Sequence, residues 1–160
     1  MWEGYLSQDE HPAFRTEIPE SLSMLSGLVP PDVELGYHLC YGSPADEHLI
    51  LPKDADVLVE LANHIAAGAN RPLAYIHLPV PRDRNDEDYF RPLEHLKLDE
   101  GTELYLGCVH SGDADGNATK LDLARRFTTV AGVGAECGMG RGRPEHFDDM
   151  LVQHRNLSGA

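Results

Sequence analysis

The sequence predicts an α/β protein built from repeated strand–helix units, on three observations. Four apolar, β-branched or aromatic runs recur along the chain, and a stretch with helical spacing follows each of them. The repeat is about 32 residues long, since 128 residues lie between Val33 and Ala160. Alternation of this kind implies a parallel sheet with helical crossovers.

The four runs, each read as a strand, are Val33–Tyr41, Leu73–Leu78, Glu103–His110 and Gly132–Cys137. The clearest helix spans Asp54–Ala67, where Val57, Leu58, Leu61, Ala62 and Ile65 fall on one stripe and Asp56, Glu60 and Asn63 fall elsewhere. Pro52 stands just before it and Gly68 is its natural stop. A second helix is expected near Asp86–Leu96, interrupted by Pro92, a third over Ala118–Thr128, and a fourth over Pro144–Arg155 with Pro144 at its start. Residues 1–160 read as a single domain, with 33–160 carrying the four units. Residues 1–31 read as the tail of a preceding unit or an N-terminal extension: Trp2, Tyr5 and Phe14 are scattered among polar residues, and Leu22–Leu28 has the look of one helix. Pro30-Pro31-Asp32 closes that segment off.

Two parallel architectures fit such a pattern. A dinucleotide-binding sheet would place Gly-x-Gly-x-x-Gly straight after the first strand, but the loop there reads Tyr41-Gly42-Ser43-Pro44-Ala45-Asp46. A complete eight-unit barrel of about 250 residues has a similar repeat per unit. The expectation is therefore four consecutive β/α units of a TIM-like (β/α)8 barrel, with parallel strands inside and helices outside. A half barrel exposes two strand edges and the apolar residues that meet the missing strands, so a homo-oligomer or a completing half-barrel chain is expected as partner.

Composition narrows the function. With 13 basic against 27 acidic side chains the formal charge is -14, which disfavours nucleic acid and anionic membrane surfaces as partners. No apolar run approaches the roughly 18 residues of a membrane span. The N-terminal Met-Trp-Glu-Gly-Tyr carries no secretion signal, so a cytoplasmic setting is expected. Three cysteines cannot close a disulfide framework, which favours reduced thiols used in the core or as ligands.

Every strand ends in a potential metal ligand: His38 and Cys40, then His77, His110 and Cys137. In parallel α/β architectures the C-terminal strand ends form the functional face, where distant residues converge. His38 and Cys40 are two apart on one strand and point to the same side. Two thiolates and an imidazole suit Zn²⁺, and three protein ligands with an open fourth position make a catalytic rather than a structural site. Such an ion lowers the pKa of a third thiol and presents it as a nucleophile for alkyl transfer to sulfur. The competing reading is packing: cysteine is among the most buried residue types, and a strand-end histidine often hydrogen-bonds into the core.

Cys108, on a run of Leu, Tyr and Val, reads as core. His48, His64, His95, His146 and His154 read as solvated or capping histidines. The run Arg82-Asp83-Arg84-Asn85-Asp86-Glu87-Asp88 reads as a solvated loop and helix start, with Arg82 or Arg84 on a carboxylate substrate as the sharper alternative. Gly138-Met139-Gly140-Arg141-Gly142 either cradles an anion, with Arg141 at the substrate, or is a flexible loop.

His38-Leu39-Cys40-Tyr41, Ile76-His77, Val109-His110-Ser111 and Glu136-Cys137-Gly138-Met139 together resemble the C-terminal catalytic barrel of cobalamin-independent methionine synthase and its shorter relatives. The resemblance covers about residues 33–145. It implies that His38, Cys40 and Cys137 hold a catalytic zinc, that His110 handles a proton as general acid/base, and that a small-molecule thiol accepts a methyl or alkyl group. The family's glutamate ligand falls on the second strand, where this chain carries His77, a candidate fourth ligand or substrate contact. Arg141 and Arg143 stand where the family has a lysine and an arginine in a different spacing. The family's first barrel half is not covered, so Met1 is expected to start a truncated gene or an excised piece. The leading expectation is a zinc-dependent S-methyltransferase-like protein. The alternative is a non-catalytic, zinc-binding half barrel or assembly subunit, and metal-assisted hydrolysis ranks third because it suits oxygen- and nitrogen-rich sites better.

Overall fold

Four parallel strands, β1 (Gly36–His38), β2 (Tyr75–Pro79), β3 (Glu103–Val109) and β4 (Gly132–Ala135), lie side by side in the order β1-β2-β3-β4. Each crossover therefore moves one strand in the same direction, and right-handed crossovers then put every connecting helix on one face. A doubly wound sheet needs the order to reverse; here it does not. The computed structural model describes residues 13–42 and 51–159, excluding the side chains of residues 13–15 and 141. The predicted side chains of Trp2, Tyr5, Phe14, His48 and Arg141 and the loop after Gly42 lie outside what is described.

The helices are α1 (Ala13–Ser26), α2 (Asp56–Gly68), α3 (Glu87–Phe90), α4 (Ala114–Arg125) and α5 (Phe147–Ser158), with 3₁₀ turns at Arg91–His95, Met139–Arg141 and Pro144–His146. The stripe predicted for α2 packs inward through Leu58, Leu61, Ala62 and Ile65, with Val59 rather than Val57 fully buried. The helix predicted over Asp86–Leu96 is instead one α-turn followed by a 3₁₀ turn. Asp86 caps it by accepting from the Tyr89 N–H, and Pro92 has no N–H to continue an α-helical ladder. α4 starts four residues earlier than the predicted Ala118, because Gly116 and Asn117, which read as loop formers, have tertiary uses described below. α1 begins well before the predicted Leu22, with Pro19 inside it.

One face of the sheet is the core. Ile76 and Leu78 from β2, and Leu104, Leu106 and Cys108 from β3, pack with the apolar stripe of α2, Phe90, Leu93, Leu121 and Ala124. Alternation puts Tyr75, His77 and Tyr105 on the opposite face. There glycines replace side chains: a β-carbon at Gly36 or Gly132 would run into the rings of Tyr75 and Tyr105, which meet edge to face at 5.8 Å.

All four strands are shorter than their apolar runs, β1 and β4 the most. Before β1, the Arg71 guanidinium donates to the carbonyls of Val29 and Pro30 at 2.8 Å each, and the Val33 N–H closes a turn on Pro30, so Val33 is held off the ladder. After His38 and after Ala135 the chain leaves the sheet, carrying Cys40 and Cys137 two residues beyond their strands. In a flat sheet three strand spacings would hold the outer strands about 14 Å apart. Yet the Cys40 and Cys137 thiols are separated by 3.7 Å, so the C-terminal rim curls inward. Among the described residues, no helix is long and apolar enough to cross a membrane.

Candidate metal centre

The curled rim gathers three of the predicted donors. The ligating atoms of His38, Cys40 and Cys137 all lie within 4.8 Å of one another, and all three cysteines of the chain are unbridged. The 3.7 Å between the two sulfurs fits a shared ion. Two metal–sulfur bonds of about 2.3 Å at a tetrahedral angle place their sulfurs about 3.8 Å apart. The Gly42 N–H donates to the Cys40 sulfur from 3.3 Å, which fixes the position of that sulfur. The donor set and its spacing could therefore hold a metal ion.

His77 stands outside that cluster. Its Nδ1 lies 2.6 Å from Nδ1 of His38, its register partner on the neighbouring strand, and the two rings are 4.8 Å apart. Burial, followed by the nearby His38 and His154, pushes its pKa down to about 4, so it is neutral near neutral pH. Cys108 is fully buried in the core, and burial pushes its thiol up to about 12, far from any ligand role.

His110 closes the end of β3 with both backbone groups held by Asn117: the His110 N–H donates to Oδ1 at 3.0 Å and its carbonyl accepts from Nδ2 at 2.8 Å. Its ring Nε2 is 2.9 Å from the Val80 carbonyl. A carbonyl only accepts, so Nε2 carries the proton and Nδ1 is the nitrogen left to work. Nδ1 lies 3.7 Å from the Glu136 carboxylate, which would pair with an imidazolium. Burial opposes that charge and drives the His110 pKa down to about 4, against the smaller effect of the Val80 contact; burial wins, and at neutral pH the two are not an ion pair.

A cavity of about 540 Å³ opens beside these groups, with His110, Glu136 and Cys137 in its lining. Leu51, Pro81, Phe147 and Met150 form apolar walls. Arg82 and Arg84 both line it, but only Arg82 keeps part of its fork available: one of its N–H groups donates to the Ser111 carbonyl at 2.9 Å. Arg84 makes a two-pronged pair with Asp86 at 2.8 and 2.9 Å, donates to the Pro52 carbonyl and stacks on Tyr89 at 4.8 Å, contacts that tie the loop to the core. His146, read from sequence as a solvated histidine, lines the cavity.

The sequence reading missed Glu136, Asn117 and Asp149. Asp149 on α5 accepts from the Ser111 hydroxyl at 2.9 Å and from the Gly112 N–H, anchoring the β3 loop to that helix. The only signal for these residues was their place beside a motif, which does not separate a polar support from a solvated loop residue.

The fold and the site define a one-sided, parallel four-strand α/β unit with a His/Cys/Cys cluster at its C-terminal rim. Compared with family models, with curated proteins and with solved structures, the chain matches none.

Proposed function

We propose that this chain is a zinc-dependent methyl- or alkyltransferase-like protein of the cobalamin-independent methionine synthase type, acting on a small-molecule thiol. The observation that carries the reading is the convergence of His38, Cys40 and Cys137, with a sulfur separation that matches a shared tetrahedral ion. The consecutive strand order and inward curl support the half-barrel architecture, and the reduced thiols suit a cytoplasmic setting.

His38, Cys40 and Cys137 would hold the zinc, which when bound would supply the positive charge that favours the ionised form of a substrate thiol. The remaining work falls to the chain. The cavity next to Cys137 takes the thiol and alkyl donor, with Leu51, Pro81, Phe147 and Met150 offering apolar contact to the alkyl group. Nδ1 of His110 takes the proton as the S–H bond breaks. The sulfur then forms a bond to the alkyl carbon as the carbon–leaving-group bond breaks and the leaving group departs with the bonding pair; with a sulfonium donor that group is a neutral thioether, and His110 gives the proton to solvent. Arg82, at the cavity, holds a carboxylate of the substrate. In the test, zinc-loaded protein is mixed with 3-mercaptopropanoate and a simple sulfonium methyl donor, and thioether is measured by mass spectrometry. Methylation above the protein-free rate, lost on chelation and restored by zinc, is expected; a rate unaffected by the chelator contradicts the reading.

A second reading is favoured by the sheet itself. β1 and β4 each pair with one strand among the described residues. A second copy, or a separate half barrel, covers those edges, and the metal then serves assembly rather than catalysis. Size-exclusion chromatography is expected to show a dimer or larger species, whereas a clean monomer with little hydrophobic-dye binding contradicts it.

A further inference from the structure

We propose that His77 is the positioning residue of this centre: it accepts a hydrogen bond from Nδ1–H of His38, leaving Nε2 of His38 to bind the ion, and is not itself a ligand. The inference rests on the metal-site reading above and adds to it the group that sets the ligand's tautomer.

Three observations carry it. First, the His38 and His77 Nδ1 atoms are 2.6 Å apart, and such a contact between two nitrogens holds one proton. If His77 donated it, neutral His38 would have its Nδ1 lone pair engaged and its own proton on Nε2, with nothing left for a metal. Only His38 as donor leaves it competent, the arrangement in which a ligating histidine passes its other N–H to a neighbouring acceptor. Second, the donor atoms that gather belong to His38, Cys40 and Cys137, and His77 is not among them. Third, two neighbouring strands are cut away to seat the His77 ring. A β-carbon at Gly134 would come within 2.8 Å of its Nε2, and one at Gly107 within 2.9 Å of Nε2 and Cε1. Only glycine at both positions lets the imidazole lie across β3 and β4 while Nδ1 faces His38.

The test uses the full chain with zinc alone, in competition with a chromophoric chelator, on the parent and three variants. His77→Leu removes the acceptor and is expected to weaken zinc binding about 10- to 100-fold. His77→Asn, whose Oδ1 stands where Nδ1 stood, restores most of the affinity. Gly134→Ala leaves His77 in the sequence but pushes its ring aside, and is expected to weaken binding in the same direction; it also serves if His77→Leu does not fold. X-ray absorption on the zinc-loaded parent and His77→Leu proteins is expected to give one histidine nitrogen and two protein sulfurs in both. Unchanged affinity in His77→Leu and Gly134→Ala, on a parent that binds zinc, overturns this inference alone. Loss of a nitrogen neighbour in His77→Leu overturns it by placing His77 on the metal. A parent that binds no zinc overturns the centre and the inference together.

Discussion

Replacing Asp113 by Ala is expected to lower stability by about 3–5 kcal/mol, the usual result of stranding one partner of a buried ion pair. Lys120 sits on α4 with its side chain 0% exposed, and its ammonium donates to the Asp113 carboxylate at 2.9 Å. Asp113 is itself partly open to water at 26%, which relaxes the charge left behind and favours the lower end of that range. The carboxylate has room because residue 116 is glycine, where a β-carbon would collide with it. Burial alone would raise the Asp113 pKa, but the Lys120 hydrogen bond and charge hold it below the usual value. Removing both charges at once, with Asp113→Ala and Lys120→Met, is expected to recover much of the loss. Urea unfolding of the single and double variants measures both quantities. A single-variant loss below about 1 kcal/mol would mean that the ammonium finds another partner.

The metal-free protein is also expected to lose stability in acid over the window set by His110 and His77. The folded pKa of His110, about 4, lies below the ordinary 6.5, so between those values the unfolded chain binds more protons than the folded one. Stability therefore rises with pH across that window and falls as pH drops from about 6.5 to about 4. A shift of about 2.5 units corresponds to about 3 kcal/mol at most. Below pH 4 the carboxylates held low by their partners, Asp86 by Arg84 and Asp113 by Lys120, lose their contribution as they protonate, and the decline continues. Chelator-treated protein, unfolded in urea at a series of pH values, gives the curve directly. His110→Gln should make the upper part of it shallower, with His77, whose pKa is also lowered to about 4, supplying the rest, and leave the carboxylate part in place. An unchanged curve would assign the acid sensitivity to other groups.

The strand–helix alternation was legible because the strands are short apolar and aromatic runs, as in Leu73–Leu78, where Ile76 and Leu78 are buried and Tyr75 is exposed, and a one-sided helix writes a stripe, as in α2. Element ends were less legible. Asn117 and Gly116 disfavour a helix by their intrinsic preferences, yet Asn117 satisfies both backbone groups of His110 and Gly116 clears space for Asp113, so tertiary contacts override those preferences. Val33 has the look of a strand residue, but the Arg71 contacts that hold the preceding chain in a turn come from 38 or more positions away. For the site, residue types at strand ends pointed to His38, Cys40 and Cys137, whereas their convergence depends on sheet curvature, which no local pattern encodes. His77 shows the same limit: its position beside His38 was legible, but its hydrogen bond depends on the parallel register and on two glycines from other strands. Arg82 and Arg84, two residues apart, look equivalent in sequence, and only the folded loop gives Arg84 to Asp86 and Tyr89.

The central claim is that the C-terminal rim binds zinc through His38, Cys40 and Cys137. Elemental mass spectrometry of freshly purified protein, beside a Cys40→Ala, Cys137→Ala double variant, tests it most directly. About one zinc per chain in the parent and none in a folded variant is the expected result, because loss of two of the three protein ligands leaves too few to hold the ion. A parent free of zinc that takes none up after reduction, or a double variant that retains it, would contradict the account.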